Sequence, residues 1–123
     1  MFPWLGWLIA LVFAIAYIQK LGNNTVKNNG ASKIRDIPEY VHDVLDYVSF
    51  HGKPMENYVG GRKFYNREKR LPTSHNNSRI KYREWDVLPK IKGRGRGPER
   101  LVTGSIGSAY YTKDHYRTFK QIR

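Results

Sequence analysis

Hydrophobic and polar positions divide the chain into three zones. From Met1 to Ile18 no side chain is charged and nearly all are apolar. Gln19 to Lys33 is rich in Asn, Gly and Lys without a periodic apolar pattern, which reads as a tether. Beyond it, Ile37, Val41, Val44, Leu45 and Val48 recur at helical spacing and predict one amphipathic helix. Asp36 with Glu39 three residues later forms a capping-box pattern at its start. Gly52 suits a left-handed cap at its end, and Pro54 blocks continuation. Met55 to Ser78, with Gly60-Gly61, Pro72 and Asn76-Asn77, reads as a loop-rich region.

The remaining pattern is β. Lys81 to Val87 alternates, so Tyr82, Glu84 and Asp86 share one strand face while Trp85 and Val87 share the other. A basic, Gly-rich connection from Lys90 to Glu99 leads into a strand at Arg100 to Thr103. Two more short strands are predicted at Ala109 to Thr112 and Tyr116 to Ile122, with Lys113-Asp114 at the turn between them. One helix, with room for a second short one, followed by an antiparallel meander is an α+β layout. The helix packs on one sheet face and leaves the other for a ligand. The expected division is 1–19 as signal peptide or membrane anchor, 20–34 as flexible tether and 35–123 as the folded domain.

Cues for the first segment conflict. An apolar run needs about 20 residues to span a bilayer as a helix. Ala14-Ile15-Ala16 offers an A-x-A cleavage pattern, yet the basic region expected before a signal's apolar centre is missing. Lys20 and Lys27 follow the run, which favours keeping that side cytoplasmic. The segment therefore reads as membrane-directed, either cleaved to give a secreted domain or retained as an anchor.

Charge narrows the partners. With 22 Lys and Arg against 10 Asp and Glu, the formal net charge is +12, a field that attracts polyanions such as RNA, DNA or anionic lipid. The chain has no cysteine, so no disulfide framework and no thiolate chemistry is available. A domain of roughly 90 residues must then rest on its hydrophobic core. His42, His51, His75 and His115 show no metal-ligand spacing, and neither a Gly-x-Ser-x-Gly elbow nor a P-loop is present. No metal or cofactor is expected.

What remains is a carboxylate on an exposed strand face, Glu84, two arginines four apart, Arg96 and Arg100, and His115 near the C-terminus. These types suit RNA cleavage without a metal. The ribose 2′-OH attacks the adjacent phosphorus, so one group must remove its proton and another must protonate the leaving 5′-oxygen. A carboxylate can be the base and an imidazolium the acid. Guanidinium groups meet the charge that grows on the non-bridging oxygens. Taken singly, each has a plainer alternative: Glu84 an ordinary strand carboxylate, Arg94 to Arg100 a solvated basic loop, His115 a surface or core histidine.

Three blocks of sequence carry a resemblance. Tyr111-Thr-Lys-Asp-His-Tyr-Arg-Thr-Phe-Lys-Gln-Ile-Arg123 resembles the closing segment of the barnase-type guanyl-specific ribonucleases. Phe64-Tyr-Asn-Arg-Glu-Lys-Arg-Leu-Pro72 resembles that family's guanine-recognition loop, Phe-x-Asn-Arg-Glu-x-x-Leu-Pro. Arg83-Glu84, a basic loop and Arg96-x-x-x-Arg100 resemble the block between them. The blocks stand in family order at close to family spacing and, with the helix, span about Asp36 to Arg123. The resemblance implies that Glu84 is the general base and His115 the general acid. It makes Arg96 and Arg100 the phosphate-binding arginines and Tyr65, Asn66, Arg67 and Glu68 the base-recognition loop. Tyr116, beside His115, can stack on a base or line the cleft. The implied substrate is single-stranded RNA, whose exposed base edges such loops read. A barstar-type acidic inhibitor over the basic cleft is an implied partner, an antibacterial toxin is the matching biological use, and a monomer is the expected state.

The chain departs from the family in several places. Barnase carries an active-site lysine on a helix well before the recognition loop, whereas the helix from Asp36 to Phe50 holds no lysine or arginine. Either Lys53, Arg62 or Lys63 takes that role, or no residue does. The loop from Glu84 to Arg96 is slightly longer than in barnase, the cysteines of some relatives are absent, and Tyr65 stands where smaller or polar residues are usual. A tethered basic module that binds nucleic acid without cutting it remains the alternative, because phosphate contacts alone give strong, salt-sensitive affinity.

Overall fold

A computed structural model describes residues 36–123. The segments 1–19 and 20–34, with the export and tether expectations placed on them, lie outside the described residues. The helical face closes as its spacing predicts. Helix α1 spans Glu39–His51, and Ile37, Val41, Val44, Leu45 and Val48 are all buried. Gly52 takes the left-handed conformation at φ 68, and its N–H donates to Val48 O at 2.9 Å. The start differs from expectation. Pro38 occupies the N-cap without a side-chain cap, and its carbonyl accepts from Val41 N–H at 3.0 Å. Asp36 instead reaches the Lys120 ammonium at 3.2 Å, so the carboxylate expected to cap the helix pins the last strand.

Seven strands follow: β1 (Gly60–Phe64), β2 (Ser74–His75), β3 (Ser78–Arg79), β4 (Tyr82–Asp86), β5 (Arg100–Gly104), β6 (Ala109–Thr112) and β7 (Lys120–Gln121). Five of them form one antiparallel sheet in the order β1-β4-β5-β6-β7, while β2 and β3 make a separate two-stranded ribbon. Strand β1 lies inside the stretch expected to be loop. Its two leading glycines are not breakers here. A Cβ on Gly60 would come within 3.0 Å of Trp85, and Gly61 sits at φ 89 where the register slips between Gly60 and Arg62. The pair forms a bulge that lets β1 lie against the indole. The expected strand from Tyr116 to Ile122 shrinks to Lys120–Gln121. His115 and Tyr116 stand at φ 54 and 68, outside the extended region, and belong to a loop.

The sheet separates two apolar layers. On one face Trp85, Val87, Leu101, Ala109 and Tyr111 pack against the helix. On the other, Tyr82, Val102 and Tyr110 pack with Leu71 and Ile80, and with Phe64, Tyr116 and Phe119 from the loops. The first layer holds the strands. The second fixes the loops that carry the candidate site.

Candidate active site

The closing loop is built around Asp114. Its carboxylate accepts from the Thr118 N–H at 2.8 Å and the Thr118 hydroxyl at 2.5 Å, and from the Thr112 hydroxyl at 2.9 Å. Thr112 Oγ1 in turn accepts the Tyr116 N–H at 3.0 Å. These bonds, Thr118 foremost, hold Asp114 at about 2, below its ordinary 3.8. They also hold His115 and Tyr116 in the left-handed region, which non-glycine residues enter only when surroundings compel them. The His115 N–H donates to Pro98 O at 3.0 Å, tying the histidine to the end of the basic loop.

The loop from Tyr65 to Leu71 is closed the same way. Asn66 donates its side-chain amide to Leu71 O at 2.8 Å and accepts the Leu71 N–H at 3.1 Å, while Lys69 N–H bonds Asn66 O. Asn66 and Lys69 are left-handed at φ 50 and 53. The Asn66 side chain thus shapes the loop. Around it, Tyr65 is exposed, with the Lys63 ammonium and the Arg67 guanidinium each 5.0 Å from its ring centre. Glu68 lies 2.8 Å from Arg70, whose guanidinium also donates to Tyr116 O at 2.7 Å.

Both loops and β4 line one open cleft of about 590 Å³. Its walls include Tyr65, Asn66, Arg67, Glu68, Glu84, His115 and Tyr116, all of them expected from sequence. Glu84 is the carboxylate at its floor, with its side chain 17% exposed. The Tyr116 hydroxyl donates to Glu84 Oε2 at 2.5 Å, and Tyr116 stacks on Phe64 with ring centres 4.9 Å apart. Burial first, and the bond to Glu84 second, push the Tyr116 phenol well above its usual range, so it stays a donor at any ordinary pH.

Arg96 and Arg100 meet at Asp86. Arg96 grips that carboxylate with Nε and Nη2, and its Nη2 lies 3.8 Å from Glu84 Oε1. The bond to Asp86 raises the Arg96 pKa above its ordinary value. Arg100 is nearly buried, with Nε 3.2 Å from Asp86 Oδ1 but not aligned for a hydrogen bond, and Nη1 on the carbonyls of Gly97 and Glu99. A third guanidinium, Arg62, pairs with Glu84 across the β1–β4 register and brings Nε to 3.8 Å from Oε1. Three cations therefore surround two carboxylates, and the cluster keeps a positive surplus where an anion would sit. Among the candidates for the missing lysine, Arg62 approaches Glu84 and Lys63 lines the cleft, whereas Lys53 is not among the cleft residues.

Asp86, Arg70 and Glu99 were not singled out as site residues in the sequence. Glu99 Oε1 accepts hydroxyl bonds from both Tyr40 and Tyr111 at 2.6 Å, anchoring the end of the basic loop to the helix and to β6. The one available signal was that Asp86 shares the Glu84 strand face. Nothing local marks the other two.

The guanidinium cluster around Glu84 and Asp86 lies on the sheet face away from the helix, and Glu84 joins it to the cleft that His115 also lines. The sequence profile of the ribonuclease family matches residues 18–123. Guanyl-specific ribonuclease Sa from Kitasatospora aureofaciens is 35% identical over 95 residues, 76% of this chain and 94% of that protein. Guanyl-specific ribonuclease St from Saccharopolyspora erythraea is 32% identical over 88 residues, 72% of this chain and 82% of that protein. Among solved structures, ribonuclease Sa2 with guanosine-2'-cyclophosphate superposes with a TM-score of 0.51 at 36% identity, covering 71% of this chain and 87% of that one. The chain belongs to the microbial guanyl-specific ribonuclease family, the barnase type, and its class is that of endoribonucleases.

Proposed function

We propose that residues 36–123 cleave single-stranded RNA 3′ of guanosine through a 2′,3′-cyclic phosphate, without a metal. The observation that carries this reading is that Glu84, His115, Tyr116 and the loop Tyr65–Glu68 line one cleft. Glu84 removes the 2′-OH proton and His115 protonates the departing 5′-oxygen. Arg96 and Arg100, aligned by Asp86, receive the negative charge that develops on the phosphorane oxygens. Guanine's N1–H and N2–H₂ are accepted together by Glu68, and backbone N–H groups of the loop meet its O6. In the second step the roles reverse: His115 activates water and Glu84 returns the proton.

The test uses the full chain in EDTA with short RNAs that differ in one base, and a copy whose guanosine lacks the 2′-OH. Cleavage after guanosine that yields a cyclic phosphate and vanishes with the 2′-deoxy substrate supports the mechanism. Glu84→Gln and His115→Ala should each lower turnover by at least about a hundredfold while largely sparing RNA binding. Salt-sensitive binding without cleavage would make the chain a capture module on a ribonuclease fold. The uncharged run Met1–Ile18 supports a further reading, that the domain acts outside the cytoplasm as a toxin restrained by an acidic inhibitor. Fractionation of cells making the full chain tests it, and an entirely cytosolic product would contradict export.

A further inference from the structure

Arg70 is joined to both halves of the cleft. Its Nη1 donates to the carbonyl of Tyr116 at 2.7 Å, across 46 positions of sequence, and lies 2.8 Å from Glu68 Oε2. Tyr116 in turn donates its hydroxyl to Glu84 Oε2 at 2.5 Å. Glu68, Arg70, Tyr116 and Glu84 thus form one path from the base-reading carboxylate to the general base, polar at each contact and covalent through Tyr116 from its carbonyl to its hydroxyl.

The path is anchored in rigid parts. The Asn66–Leu71 clasp closes the loop from which Arg70 projects, and Lys69 beside it is held left-handed. At the far end, Thr112 and Asp114 fix the backbone of His115 and Tyr116. Glu68, by contrast, is 68% exposed, and a free glutamate there would sample many rotamers. An exposed ion pair contributes little to fold stability, so the bonds of Arg70 act on geometry.

Resting on the ribonuclease reading of this cleft, we propose that Arg70 is a positioning residue that couples guanine recognition at Glu68 to the placement of the catalytic loop. The base is then sensed in turnover as well as in binding. Glu68 Oε1 and the remaining lone pairs accept guanine's N1–H and N2–H₂ while Arg70 keeps hold of Oε2. The load that guanine places on Glu68 passes through one nitrogen to the carbonyl of Tyr116, the residue next to His115. Adenine lacks the N1–H donor and places no such load.

The experiment compares the full chain with Arg70→Met and Arg70→Lys on the dinucleotides GpU and ApU, with thermal melts alongside. In Arg70→Met the guanosine-to-adenosine ratio of kcat/KM should contract about tenfold, the scale of one charge-assisted hydrogen bond. Part of the guanosine loss should fall in kcat, and ApU cleavage should fall less than GpU cleavage. Because both bonds run through a single nitrogen, Arg70→Lys should restore most of the ratio, which a merely steric role would not. A ratio unchanged in Arg70→Met overturns the coupling, whether both substrates lose equally or neither loses. That outcome leaves the ribonuclease reading intact. A wild-type chain that cleaves neither dinucleotide removes that reading and the coupling together.

Discussion

Asp86→Asn is the most informative single change in this domain. The Asp86 side chain is 8% exposed and faces two guanidiniums, Arg96 at 29% and Arg100 at 6%. Asparagine keeps the shape and one acceptor oxygen but removes the charge and turns an NH₂ toward a cation. Breaking a buried pair by removing one partner costs about 3–5 kcal/mol, because the surviving charge is left uncompensated. Arg100 retains the carbonyls of Gly97 and Glu99, and Arg96 can turn toward water, so the lower end applies, about 3 kcal/mol. For a domain of this size that lowers Tm by roughly 12–24 °C. The assay is thermal unfolding followed by circular dichroism, with urea melts to check that the midpoint falls while m is unchanged. Two internal controls sharpen it. Inorganic phosphate should stabilise the variant more than the wild type by binding the freed guanidiniums. Adding Arg100→Gln to Asp86→Asn should cost less than the sum of the single changes. A variant melting within about 3 °C of wild type, or strictly additive changes, would refute the claim that Asp86 holds Arg96 and Arg100 by charge.

Three further outcomes follow from other parts of the site. Arg62→Gln should weaken RNA binding and reduce the slope of log K against log salt by about one, the signature of one lost phosphate contact; an unchanged slope would leave Arg62 out of the interface. Asp114, depressed to about 2 from 3.8, stabilises the closing loop above its ordinary pKa and stops doing so as pH falls through the depressed value. The gap in Tm between wild type and Asp114→Asn should therefore be full at pH 5 and close between about pH 4 and pH 2, and a gap constant across that window would sink the assignment. Tyr40 is pushed up to about 12 from 10.0, first by its bond to Glu99 and then by burial. Its contribution is full below pH 10 and disappears as pH rises toward 12. Tyr40→Phe should accordingly lose stability at pH 8 relative to wild type, with the difference shrinking above pH 10 in alkaline melts.

The parts of this fold legible in sequence are those whose cause is local. The four buried positions of α1, the Gly52 cap and the β6 span follow from spacing and from residues adjacent in the chain. What failed depends on distant partners. Asp36 could have capped the helix, but Lys120 holds it and Pro38 takes the N-cap. Gly60-Gly61 looks like punctuation until Trp85 is present for β1 to lie against. Tyr116 follows a strand-like aromatic pattern, yet the network of Asp114 with Thr112 and Thr118 claims the backbone first. The same division runs through the site. Glu84, His115 and the recognition loop stand in recognisable blocks, whereas the roles of Asp86 and Arg70 exist only once Arg96, Arg100, Glu68 and Tyr116 surround them.

The placement of the carboxylates bears on whether this cleft cuts or only captures. A surface selected for affinity toward phosphates gains from exposed cations and loses from every carboxylate among them. Here Asp86 neutralises part of the charge of its two most sheltered arginines, and Glu84 stands between Arg62 and Arg96. Asp86 lowers attraction for RNA in exchange for fixed direction, which matters when charge must be met at a particular oxygen and little when any phosphate will do. Glu84 lowers it again, although a neutral amide could equally accept the Tyr116 hydroxyl. A carboxylate in that position makes sense when it has a proton to remove. The arrangement of charge therefore favours turnover over capture before any rate is measured.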